Sequence, residues 1–238
     1  MKAGIISAGF NLRLISEGKP KGLLKINGKT LIESKIETLE KVGFEKIYFV
    51  IRKDSHLIVR YLNQLTDKYK ISIIIIKHNS ISPLDSTLVL KKYLTNDEGI
   101  LVFNVDAIYN FKDLEKFALN FNKLSNADMV MWASPFLEKI NEDPAFIKFN
   151  KNLKVIEYGK KIIPTKYVFG QIRFCSSKIL NLQKNLIENK DYKMGIFIKY
   201  LIDNNFNVKV FKTNNNTYDI DTPEDLKNVR NLMSNGKL

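Results

Sequence analysis

Cysteine and histidine are almost absent from this chain of 238 residues: Cys175 stands alone, and His56 and His78 are the only histidines. A single thiol excludes an internal disulfide and any zinc cluster built on cysteines. Set in Arg-Phe-Cys-Ser, Cys175 reads as a small strand residue in a core and not as a nucleophile. Neither histidine stands in a pattern that suggests a Ser-His-Asp triad, so histidine-driven catalysis is not expected. Long apolar runs are missing too. No stretch reaches the roughly 18 to 20 residues of a membrane span, and the strongest candidates are interrupted by Lys, Asn or Glu. Met1-Lys2 leads into a short apolar stretch that meets Gly9 and Arg13 without the long hydrophobic region of a signal peptide. The expected location is therefore the cytoplasm, with no membrane partner.

Acidic residues are the scarcer charge: 25 Asp and Glu stand against 38 Lys and Arg, a net +13. The basic residues are dispersed and not gathered into a run, and the aromatics lie mostly inside apolar segments, so nucleic acid is not expected as the main partner. A positive field of this kind helps to collect a polyanionic small molecule such as an NTP.

With 45% hydrophobic and 26% charged residues the composition is that of a globular protein. In the first half, short apolar runs alternate with helix-like segments, the pattern of βαβ units and a parallel sheet. Strands are expected over Ala3 to Ser7, Lys46 to Ile51, Ile71 to Ile76 and Ile100 to Phe103, the third of these covered on both faces. Leu31, Ile32, Ile36, Leu39 and Val42 recur at helical spacing until Gly43, and further helices are expected around His56 to Tyr69 and Ser86 to Tyr93. After Ala133 the pattern loosens. Phe146 to Phe149, Lys154 to Tyr158 and Tyr167 to Phe174 read as antiparallel strands, and Ser177 to Lys184 and Met194 to Asn204 as helices. A last strand, Val208 to Phe211, precedes a helix over Pro223 to Met233 with Thr222 as N-cap. Asn214-Asn215-Asn216 reads as a polar turn.

Two strand ends carry the chemistry. The first strand runs into Ser7-Ala8-Gly9-Phe10-Asn11-Leu12-Arg13, followed by Lys19-Pro20-Lys21-Gly22-Leu23-Leu24. A small-residue loop after a strand brings backbone N–H groups against phosphates, while a fixed Lys and Arg add positive charge. It is not a P-loop, because the spacing differs and no Lys-Ser/Thr pair opens a helix. Ile100 to Asp106 delivers a carboxylate at the C-terminal end of an apolar strand, the edge where open parallel sheets bind ligands. Downstream, Tyr218-Asp219-Ile220-Asp221-Thr222-Pro223-Glu224-Asp225-Leu226 is again a strand end leading into a helix.

The order of these segments, with Asn27-Gly28-Lys29-Thr30-Leu31-Ile32-Glu33 between them, closely resembles the NTP-transferase family of sugar-phosphate and molybdopterin-type nucleotidyltransferases. The resemblance spans nearly the whole chain. It implies an α/β fold, a doubly wound Rossmann-like mixed sheet of the GT-A-like nucleotidyltransferase type with a smaller antiparallel acceptor-binding lobe. Residues 1–238 would form a single domain, with about 1–133 the nucleotide-binding half and 134–238 the acceptor lobe and C-terminal metal segment. It further implies Arg13 and Lys21 at the triphosphate, Ser7, Ala8 and Gly9 at the nucleotide, and Asp85 and Ser86 at a base-recognition turn. Asp106 and Asp219 would hold Mg²⁺ with Asp221 in reserve, and Gly170, in Phe169-Gly170-Gln171-Ile172, would line the acceptor pocket. Asn11, Val105 and Asp85 stand where the family usually has glycine. The activity implied is transfer from an NTP to a small phosphorylated acceptor, a sugar 1-phosphate or a phosphorylated alcohol such as phosphocholine, with release of pyrophosphate. The alternative is a nucleotide-binding regulatory protein of the same fold without turnover.

Overall fold

The computed structural model describes residues 1–9, 18–95, 98–124, 126–138, 144–182 and 193–235. Strand β1 (Lys2–Ser7) is followed by a single 3-10 turn, Lys21–Leu23, and by a tight hairpin of β2 (Lys25–Ile26) and β3 (Lys29–Thr30). At the hairpin tip Asn27 and Gly28 take φ of 48° and 81°, the left-handed pair that an Asn-Gly turn favours. Helix α1 (Leu31–Lys41) starts where the Thr30 hydroxyl accepts the Glu33 N–H, and it stops before Gly43 at φ 87°. Next come β4 (Lys46–Ile51), α2 (His56–Thr66), β5 (Ser72–Lys77), α3 (Pro83–Leu88) with a 3-10 extension to Tyr93, and β6 (Gly99–Asn104). The chain continues through β7 (Ala107–Ile108), α4 (Phe111–Leu119), α5 (Phe121–Leu124), β8 (Met129–Pro135), β9 (Phe146–Phe149), β10 (Val155–Gly159) and β11 (Tyr167–Ser176). Then follow α6 (Ser177–Leu180), α7 (Met194–Asp203), β12 (Val208–Lys212), β13 (Tyr218–Asp219) and α8 (Pro223–Ser234).

Nine strands form one mixed sheet. Strands β5, β4, β1 and β6 lie side by side in parallel, β11 runs antiparallel to β6 and β8, and β12 returns parallel to β8. The β9–β10 hairpin joins through Val168 opposite Phe146. Both halves of the sequence thus share one sheet: the later strands extend the parallel core through β11. One layer, with α1, α2, α4 and α8, buries Ile32, Ile36, Leu62, Phe117 and Leu226 against Ile5, Phe49, Phe103 and Trp132. The other, with α3, α6 and α7, buries Leu84, Ile179 and Ile198 against Val50, Val102 and Met131. Central strands have no solvent face, which is why β4 and β6 are apolar at nearly every position.

The run Ile71 to Ile76 is covered on both faces, Ile73 and Ile75 packing on the α1–α2 layer and Ile74 and Ile76 on the α3 layer. Among the described residues strand β5 pairs only with β4, and at this sheet edge Ile73 to Ile75 are half-buried. Strand β8 escapes the periodicity because Met129 to Ser134 are all buried, so no alternation marks it. Cys175 is buried in β11 as expected. Burial pushes its thiol up to about 11, with Arg173 opposing the shift. The native protein should therefore leave a thiol reagent such as Ellman's unreacted near pH 8 and release one equivalent on denaturation; stoichiometric reaction of the folded protein would contradict this packing.

Candidate active site

The C-terminal ends of β1 and β6 lie side by side, since Ile6 pairs with Asn104 and the Val105 N–H donates to the Ile6 carbonyl. Asp106 follows at once. The 3-10 turn carrying Lys21 packs closely on α1: a Cβ at Gly22 would lie 2.8 Å from Ile32 Cδ1. Lys21 is buried, and its Nζ donates to Asp106 Oδ2 at 2.6 Å and to Asp221 Oδ1 at 2.9 Å.

Asp221 is delivered by the start of α8. Thr222 is the N-cap, its hydroxyl accepts the Asp225 N–H, and Asp225 Oδ2 accepts the N–H groups of Asp221 at 3.0 Å and Thr222 at 2.8 Å. Capping therefore belongs to Thr222 and Asp225, and the Asp221 carboxylate faces Lys21. Asp219 sits two residues earlier in β13, which pairs antiparallel with β7 and sets Asp219 opposite Ala107, beside Asp106. The Asn214–Asn216 segment is more than a polar turn. Buried Asp113 of α4 accepts from the Asn214 and Asn215 N–H groups and from Asn215 Nδ2, fixing the approach to β13.

The cluster is electrostatically tense. Burial alone would lower the Lys21 ammonium, but Asp106 and Asp221 more than reverse this and raise it above the ordinary lysine value. Desolvation raises the Asp219 carboxyl, and the like charges of Asp106 and Asp221 raise it further, although the residue keeps an open face toward solvent. A second lysine, absent from the sequence reading, stands behind these carboxylates. Lys35 of α1 is wholly buried, donates to the Ala107 carbonyl and lies 4.6 Å from the Tyr109 ring centroid. Burial pushes it down to about 8, with Asp106 and Asp219 opposing. Three carboxylates thus converge on two lysines, a hard-oxygen set with a cation already bridging Asp106 and Asp221.

Residues 3–139 match the family model described as the MobA-like NTP transferase domain. This chain belongs to that family. Its likeness to the choline-phosphate cytidylyltransferase of Streptococcus pneumoniae runs end to end, 26% identical over 99% of both chains. It is 31% identical to the bifunctional protein GlmU of Methanococcus vannielii over 64% of this chain, but spans only 39% of that relative's length. Among solved structures, the inositol-1-phosphate CTP transferase of T. maritima superposes with a TM-score of 0.82 at 21% identity, covering 98% of this chain and 94% of that one.

In this member of the MobA-like family the remaining expected site residues fall in different places. Ser7 and Ala8 are buried at the end of β1, the Ser7 hydroxyl having no hydrogen-bond partner among the described residues, and Gly9 is exposed beside them. Arg13 and Asn11 lie outside the described residues. Asp85 and Ser86 are both buried in α3, where Asp85 Oδ2 lies 2.9 Å from His78 Nε2 and accepts the Ile81 N–H, bracing the turn that precedes the helix. Gly170 is also buried and closely packed: a Cβ there would lie 2.8 Å from Thr217 Oγ1 and 3.0 Å from Trp132 Cδ1. Among the described residues no group of three or more His, Cys, Asp or Glu forms a ready metal cage. A cavity of about 720 Å³ opens beside Asp219, lined by Tyr218, Glu138, Glu224 and Asp225 among others, with no lysine or arginine among the described residues of its wall.

The position of Asp221 depends on the helix cap next to it. Thr222→Ala should cost about 1 kcal/mol and lower Tm by about 2–4 °C in a domain of this size. Calorimetry checks this, and an unchanged Tm would show that the cap does not hold the segment.

Proposed function

We propose that this protein is a Mg²⁺-dependent nucleotidyltransferase that joins the nucleotidyl part of an NTP to a small phosphorylated alcohol and releases pyrophosphate. The observation that carries this reading is the Lys21 ammonium held between Asp106 and Asp221 at the C-terminal edge of the parallel strands. Oxygen donors of this kind fit Mg²⁺, which binds one or two carboxylates, phosphate oxygens and water. Asp106 and Asp221 would hold the ion, with Asp219 adding negative charge behind them. When bound, Mg²⁺ would neutralise charge on the triphosphate. Lys21, freed from its two carboxylates, would pair with phosphate oxygens at the same strand ends. An acceptor phosphate oxygen forms the new bond to the α-phosphorus as the bond to pyrophosphate breaks. The nucleophile is already an anion, so the protein need supply only alignment and charge, in keeping with the lack of a histidine at the cluster.

The acceptor we favour carries a positive charge at the end away from its phosphate. Two observations support it: the acid-lined cavity beside Asp219 in a protein of net charge +13, and the end-to-end likeness to a choline-phosphate cytidylyltransferase. Pyrophosphate release across the four NTPs, with phosphocholine, phosphoethanolamine, inositol 1-phosphate and glucose 1-phosphate as acceptors, tests the proposal. Release should require Mg²⁺ and be fastest with the cationic acceptors; NTP binding without release under all acceptors would favour a regulatory nucleotide-binding protein instead. Lys21→Ala should lower kcat by roughly 100- to 1000-fold. Asp106→Asn and Asp221→Asn should need far more Mg²⁺ for half-maximal rate, and Asp219→Asn less so. A normal Mg²⁺ response in Asp221→Asn would return the second ligand to Asp219.

A further inference from the structure

Arg173, in the middle of β11, is 1% exposed, yet among the described residues none of its bonds goes to a carboxylate. Its Nη2 donates to Thr87 Oγ1 of α3 at 2.6 Å, its Nη1 faces Asn104 Oδ1 at 3.5 Å, and its Nε has no partner. A buried guanidinium without a counter-ion is costly to keep, so its effect on its neighbours matters. Guanidinium has donors only. It therefore obliges Asn104 to turn its oxygen inward, and the Asn104 Nδ2 then donates to Gln171 Oε1 at 3.2 Å. That occupies one lone pair of the Gln171 oxygen and holds the amide so that its NH₂ donor is turned away from Asn104 and free for a ligand.

Gln171 is half-buried and sits at φ 59°, where the register between β11 and β8 shifts between Phe169 and Arg173. A left-handed glutamine in a strand is strained, and strain of this kind persists where the surroundings hold a side chain in one direction. Its partner Asn104 is two residues before Asp106, and β11 flanks β6 on the side away from β1. Gln171 thus stands across the acidic cluster from the loop that follows β1.

We infer that Gln171 is the acceptor-recognising residue, donating from Nε2 to an oxygen of the acceptor's phosphate, and that Arg173 is the positioning residue that fixes which end of the amide is offered. This rests on the nucleotidyl-transfer reading above. The arrangement suits an oxygen-rich anion at this point, since the oriented NH₂ group offers two N–H donors to phosphate oxygens.

The test is pyrophosphate release with KM measured separately for NTP and acceptor, on wild type, Gln171→Gly, Gln171→Asn, Gln171→Glu and Arg173→Met. Glycine and asparagine both tolerate the left-handed backbone, so these variants keep the fold, as melting curves will show. Loss of one hydrogen bond should raise the acceptor KM about five- to tenfold, with the NTP KM within about twofold of wild type. Gln171→Glu should be worse, its charge opposing the phosphate, and Arg173→Met should match Gln171→Gly without adding to it in the double variant. An unchanged acceptor KM in both Gln171→Gly and Gln171→Asn overturns the inference alone, as does an equal rise in both KM values. Failure of wild type to release pyrophosphate with any acceptor overturns the nucleotidyl-transfer reading and this inference with it.

Discussion

One ammonium group joins three distant parts of the chain. Lys21 comes from the turn after the first strand, Asp106 from the end of β6 and Asp221 from the start of α8, and the lysine bridges the two carboxylates at 2.6 and 2.9 Å. Much of the local architecture serves that convergence. The Asn27-Gly28 hairpin and Gly22 press the lysine turn on α1. Arg230 of α8 reaches back with two hydrogen bonds to the Lys25 carbonyl. Asp113 pins the asparagine turn before β13, and the Thr222–Asp225 capping box sets the backbone of Asp221. Two carboxylates brought this close repel one another without a cation between them, so the contact is both a tether and a site that another cation can claim.

The parallel half was legible because its physics is local. Strands β1, β4 and β6 are buried on both faces and read as unbroken apolar runs, and α1 is framed by a threonine cap and Gly43. Asp106 was legible for the same reason, as the first carboxylate past a central strand. The division of labour between Asp219 and Asp221 was not. Both belong to one short segment, and only the end of β13 at Asp219 and the capping of α8 decide which side chain meets Lys21. The contact of His78 with Asp85, seven residues apart across a turn, leaves no periodic trace, nor does a strand as evenly buried as β8.

Two buried cations, Lys35 and Arg173, share a design. Each donates to an oxygen within three residues of Asp106, Lys35 to the Ala107 carbonyl and Arg173 to the Asn104 amide. Neither has a carboxylate bound directly to it among the described residues. They act on the site by orienting its frame from below, one from each layer of the fold, and their residue types look unremarkable in the sequence because burial, not spacing, makes them consequential.

The central claim is that Lys21 and a divalent ion compete for Asp106 and Asp221. Anomalous scattering from Mn²⁺ in crystals grown with a non-hydrolysable NTP tests it most directly. The account predicts a peak in contact with oxygens of both Asp106 and Asp221, and the Lys21 ammonium shifted from them to the triphosphate. A peak bound through Asp219 without Asp221, or Lys21 still bridging the two carboxylates in the loaded site, would contradict it.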